Sequence, residues 1–170
     1  MKETCCQFGP AGGLAGIISE PAAHARALAV VLVSAGVTPK FGPFRLYAEL
    51  ARRLAREGFP TLRFDLGGLG DSAQTHEHRP LEQRTQLELE AALQYLSDRL
   101  GVDGVVLAGL CSGAEDAFRH AERDVRVKRV VMIDPFAYKV TGFAWRHLRD
   151  RARRRLLRAL RIFRPLPLAT

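Results

Sequence analysis

Cysteine is scarce in this chain of 170 residues, with three in all. Cys5 and Cys6 are adjacent, so on a strand their side chains point to opposite faces, and Cys111 lies far away in sequence. An odd count so spaced predicts neither a disulfide framework nor a metal site, and no cofactor is expected. Long apolar runs are missing too. No stretch of about 18 apolar residues is free of charge, and the opening MKETCCQFGP has neither the apolar core nor the small-residue cleavage site of a signal peptide. The expectation is a cytoplasmic protein. No internal repeat and no long low-complexity segment is present, which excludes solenoids and fibrous classes.

What the chain has in excess is positive charge, +8 at pH 7. The excess is local. Residues 145–164, WRHLRDRARRRLLRALRIFR, carry nine arginines against one aspartate, and elsewhere basic and acidic residues balance. Nucleic acid is therefore not the favoured partner of the body of the chain. The arginine-rich segment keeps an apolar stripe at helical spacing through Trp145, Leu148, Leu156, Leu160 and Phe163. Such a helix suits three roles: a cap resting on the rest of the protein with its arginines in solvent, an element at an anionic membrane surface, or a nucleic-acid binder. The cap is the preferred reading.

Between residues 14 and 134, apolar runs alternate with stretches of helical period. LAGIIS (14–19), ALAVVLVSAG (27–36), FPTLRFD (59–65), DGVVLAG (103–109) and VKRVVMID (127–134) read as strands. The second is so uniformly apolar that both its faces should be buried. FRLYAELARRLAREG (44–58) reads as an amphipathic helix with Phe44, Tyr47, Leu50, Ala51 and Leu54 on one face. A second helix is expected near 80–99, with Leu89, Leu93, Leu96 and Leu100 in line. A short third one follows Cys111. Alternation of this kind predicts an α/β fold, a mostly parallel doubly wound sheet, with chemistry collected at the carboxyl ends of the strands.

Gly109-Leu110-Cys111-Ser112-Gly113 sits at one of those ends. A sharp turn from strand to helix brings the two elements so close that positions two before and two after its apex leave no room for a Cβ. Gly109 and Gly113 frame Cys111, whereas Ser112 would be framed by Leu110 and Ala114. The frame selects the thiol as nucleophile, and free N–H groups at the helix start favour its thiolate. The plainer alternative is a tight turn holding a buried cysteine.

Taken together, VLVSAGVTPKFGPFRLYAELARRLAREGFPTLRFDLGGLGDS and GLCSG resemble the α/β-hydrolase superfamily over about residues 27–140. The likeness is greatest to the hydrolases associated with exosortase systems, and looser to the serine aminopeptidase-like lipases and esterases. The resemblance implies that Cys111 is the nucleophile and that the Ser112 N–H is one oxyanion donor. Gly36 or Val37, after the strand ending VSAGV, would be the second. Asp134, after the strand that follows the elbow helix, matches a position some members use for the catalytic acid; capping the next turn is its plainer role. The implied substrate is a small acyl ester or thioester.

The superfamily's order of nucleophile, acid and histidine is met only in part. His120 and His147 alone follow Cys111, and neither matches the histidine loop. The sheet is accordingly expected to be truncated before its last strands, with a sheet domain over 1–140 and an arginine-rich helical segment over 141–170. A rival reading is a non-catalytic remnant or subunit. Its arginine-rich helix would bind a partner or membrane surface, or a second chain would complete the sheet. Two further motifs have weaker claims. Gly68-x-Gly70-x-x-Ala73 looks like a dinucleotide fingerprint, but the polar QTHEHRP that follows is no helix, so a turn lining the pocket is preferred. His76 and His78 lack other ligands and read as an exposed loop.

Overall fold

The computed structural model describes residues 1–23, 25–76 and 78–135. Its elements are β1 (Lys2–Phe8), β2 (Leu14–Glu20), β3 (Leu28–Val33), α1 (Leu46–Arg56), β4 (Thr61–Phe64), α2 (Leu81–Leu100), β5 (Gly104–Leu110), α3 (Ser112–Ala121) and β6 (Val127–Ile133). His147 and the arginine-rich segment lie outside the described residues.

The described strands form one sheet in the order β1-β2-β4-β3-β5-β6. β4, β3, β5 and β6 run parallel. β2 is antiparallel to β4, and β1 to β2. Cys5 pairs with Ile17 and Cys6 with Gly16, and the pleat leaves Cys5 exposed and Cys6 half-buried. β1 is the strand the alternation of apolar runs does not announce. KETCCQF is mixed in polarity, and its place at the sheet edge gives it an exposed face.

β3 shows why its sequence is apolar throughout. Val31 and Val33 join the core beneath α2 and α3, with Leu62, Phe64, Leu89, Leu93, Leu96, Leu107 and Ala117. Val30 and Leu32 pack on the other face against Tyr47 and Ala51 of α1. Both faces of the central strands are therefore covered, as in a doubly wound sheet. Leu89, Leu93 and Leu96 are fully buried on α2, and Leu100 packs at the core margin.

The expected apolar face of α1 needs one correction. Phe44 is fully exposed and precedes the helix, because the chain turns at Gly42-Pro43 and both Phe44 and Arg45 take positive φ, 49° and 64°. The face α1 buries is made of Tyr47, Ala48, Ala51 and Ala55, with Leu50 and Leu54 at its margin. The small side chains of Ala48, Ala51 and Ala55 let the helix lie close to β4 and β2.

Candidate active site

Cys111 occupies the junction of β5 and α3 with φ 54° and ψ −120°. A non-glycine residue in this region carries strain, which the surrounding packing must hold in place. The two flanking glycines meet it by proximity. A Cβ on Gly109 would lie 2.3 Å from the carbonyl carbon of Gly113, and one on Gly113 would lie 2.5 Å from the carbonyl oxygen of Val33. The neighbouring strand β6 and the helix α1 both fix the turn. The Cys111 N–H donates to the Ile133 carbonyl at 2.9 Å, and the Leu110 N–H donates to the Tyr47 hydroxyl at 3.0 Å.

The loop after β3 meets the elbow directly. The Gly36 N–H donates to the Ser112 hydroxyl oxygen at 2.8 Å, so the serine beside the thiol holds this loop against α3. Val37, next along, is 83% exposed. Asp134 follows Ile133, whose register partner is Leu110, so the aspartate and Cys111 leave adjacent strand ends together. Asp134 is exposed, with φ 47°. The structure thus brings Cys111, Ser112, Gly36, Val37 and Asp134 to one edge of the sheet.

His120 is not part of this group. It is buried in the last turn of α3, where its Nδ1 lies 3.0 Å from the Gln86 Oε1 of α2 and its Nε2 lies 3.4 Å from Asp124. Burial lowers its pKa below the ordinary histidine value, against the opposing pull of Asp124. It works as a packing residue between two helices.

The loop DLGGLGDS is built around Asp65, which is fully buried. Its Oδ1 accepts the Lys40 N–H at 2.6 Å, and its Oδ2 accepts Lys40 Nζ at 2.6 Å and the Asp71 N–H at 3.0 Å. Lys40 Nζ also reaches Asp71 at 2.5 Å. Burial works to lower the pKa of Lys40, but its bonds to Asp65 and Asp71 outweigh that and hold it above the usual lysine value. Ser72 donates to the Asp65 carbonyl at 2.7 Å and accepts from the Ala15 N–H at 2.9 Å. The aspartate and serine of GDS therefore shape the loop, and Gly67 and Gly68 line a pocket. Lys40 had no signal in the sequence, since its partner is 25 positions away. Among the described residues no group of three His, Cys, Asp or Glu could hold a metal ion.

That pocket, of about 420 Å³, adjoins the elbow through Ser112, Gly36 and Val37, and extends past Leu66 and Leu69 to Asp116 of α3. Asp116 escaped the sequence reading, although it stands four residues after Ser112 and so on the same side of the helix. Burial pushes its carboxyl up to about 6.

Residues 29–166 match the model of the α/β hydrolase fold family. The chain belongs to that family. This hydrolase-fold chain is similar in structure to a lid-less α/β serine hydrolase from Xanthomonas campestris, XC6422, at 20% identity and TM-score 0.67, over 84% of this chain and 66% of that one. It is similar to the esterase Pf2001 from Pyrococcus furiosus at 18% identity and TM-score 0.67, over 81% and 50%. The α/β hydrolase GrgF from Penicillium sp. sh18 matches at 20% identity and TM-score 0.67, over 99% and 57%. The chain thus spans between half and two thirds of the length of these structures. No curated protein matches it. Membership of the family supports a hydrolase-like function. No helix among the described residues is long and apolar enough to cross a membrane.

Proposed function

We propose that this hydrolase-fold chain transfers acyl groups from small esters or thioesters to Cys111. The reading rests on the strained backbone of Cys111 between two glycines that admit no Cβ. The thiolate attacks the carbonyl carbon, the alkoxide or thiolate leaves and takes a proton from solvent, and the acyl group remains on sulfur. The N–H of Ser112, at the start of α3, faces the developing oxyanion. From the loop after β3, Gly36 gives its N–H to Ser112, which leaves Val37 N–H as the second donor. Each such donor is worth about 3 kcal/mol to the transition state. Asp134 is the carboxylate at the neighbouring strand end.

Release of the acyl group by water needs a base, and His120 is engaged elsewhere. p-Nitrophenyl acetate should therefore give about one equivalent of fast product and then near-background turnover, with acetyl on Cys111 and no burst in Cys111→Ala. A burst that survives in Cys111→Ala, or none in the parent chain, refutes the reading.

A second reading, in which another chain adds to the sheet, is supported by β6, the last strand in the described order. Val131 and Ile133 on it are 48% and 38% exposed. Val131→Lys should then shift a dimer to monomer in sedimentation; an unchanged monomer in both forms rules it out.

A further inference from the structure

We propose that Asp116 makes the pocket beside Cys111 selective for substrates that carry a positive charge on the acyl chain. The proposal rests on the reading of Cys111 as the acylated residue. Among the described residues, the charged side chains that line the pocket are Glu82, Arg84, Glu88 and Asp116. Glu88, buried on α2, accepts the Gly67 N–H at 2.9 Å and is also bonded by the Thr75 hydroxyl. Arg84 donates from Nη2 to the Gly67 carbonyl at 3.2 Å, and its Nη1 and Nη2 lie 2.8 and 3.1 Å from the Gln74 amide once that amide presents its oxygen. Glu82 is held at 2.5 Å by Arg119, whose other nitrogen holds Glu115 at 2.6 Å. Asp116 remains. Among the described residues its carboxylate makes no hydrogen bond or ion pair, and only its backbone carbonyl is engaged, by Gln86 at 3.3 Å.

A half-buried carboxylate facing apolar side chains such as Leu66 and Leu69 has given up water and keeps only the attraction of Arg119 at a distance, which Glu82 and Glu115 offset. A ligand cation restores that loss, while a ligand anion adds repulsion. At neutral pH the group is mostly ionised, since its carboxyl titrates at about 6. Position fits as well as charge. Helix side chains lean toward the N-terminus, so Asp116 leans toward Ser112 and the elbow. Asp116 stands five positions after Cys111, about 7.5 Å along the helix axis, which is the reach of a short alkyl chain.

The test compares p-nitrophenyl esters of hexanoate, of 6-(trimethylammonio)hexanoate and of the adipate monoester, by the rate of the first turnover at pH 7.5. The cationic ester should acylate Cys111 roughly fivefold faster than the neutral one, and the anionic ester slower still. In the parent chain this preference should fade as the pH falls below 6, and in Asp116→Asn it should be absent at every pH. Equal rates for all three esters, or a preference that survives both changes, overturn the proposal. In a second arm, hexyltrimethylammonium should raise the melting temperature of the parent chain at pH 7.5, and hexanoate should not. If no ester gives a burst but the cation still binds in an Asp116-dependent way, the acyl-transfer reading falls and the selectivity of the pocket stands. Absence of cation binding refutes the pocket, whatever the esters do.

Discussion

The Tyr47 hydroxyl donates to the Val33 carbonyl at 2.8 Å from the far side of the sheet to α3. The same oxygen accepts the Leu110 N–H, one residue before Cys111, so a single phenol ties the ends of β3 and β5 together. Burial raises its pKa, and it stays protonated through the working pH range.

Tyr47→Phe keeps the ring and removes both bonds, leaving a buried carbonyl and an N–H short of a partner. The expected loss is about 1–3 kcal/mol, read from urea unfolding. Acylation of Cys111 should slow as well, because the turn loses one of its anchors. A variant as stable as the parent would show that water replaces the phenol.

Gly113→Ala drives a methyl group against the backbone oxygens of Val33 and Ser34, neither of which can move without disturbing β3. We expect a loss of about 3 kcal/mol. Ala114→Gly, one position later in the same helix, should cost only about 1 kcal/mol by propensity, plus the methyl it removes from the core. Comparable melting temperatures for Gly113→Ala and the parent would mean that the elbow is looser than its geometry.

Lys40→Met leaves the fully buried Asp65 without its ammonium partner. Breaking a buried pair from one side costs about 3–5 kcal/mol. The burst with p-nitrophenyl acetate should fall too, since Lys40 and Asp65 fix the loop that carries Gly67 and Gly68. Lys40→Arg should recover part of the stability. Full stability in the methionine variant contradicts this account.

Asp116 gives a pH dependence whose sign follows from its environment. Its carboxyl titrates near 3.8 when unburied and at about 6 in the fold, so folding favours the protonated form. That contribution is complete below the unfolded value and is lost as the pH rises through 6. Asp116→Asn should therefore be more stable than the parent at pH 8, by about 1–2 kcal/mol, and should lose most of that advantage at pH 4.5. His120 behaves oppositely. Held neutral by burial, it loses stability as the pH falls through the ordinary histidine value, and this loss cancels in the comparison because both proteins carry it. A difference that does not change with pH contradicts the assigned environment.

Strands and helices were legible where burial writes a period into the chain. β3 is apolar on both faces because helices cover both, and Leu89, Leu93 and Leu96 line up because one side of α2 meets the sheet. Periodicity places Phe44 on the apolar face of α1 because it cannot see that Gly42-Pro43 turns the chain before the helix starts. β1 was not legible as a strand in its own right, since an edge strand with an exposed face need not be apolar.

By itself the sequence determined the parallel core of the sheet and the place of Cys111, since two glycines spaced about a residue after an apolar strand carry a steric requirement that no distant contact alters. Only the tertiary structure decided the rest of the site. Lys40 and Asp65, Tyr47 and Leu110, and Gly36 and Ser112 are separated by 25, 63 and 76 positions. Pairings of that kind depend on which strand ends lie side by side, and the sheet order β4-β3-β5-β6 sets that. Asp116 shows the same division: its place on α3 is a matter of helical spacing, whereas among the described residues its carboxylate lacks a hydrogen bond or ion pair only because Arg84 and Arg119 bond to other groups of the folded pocket.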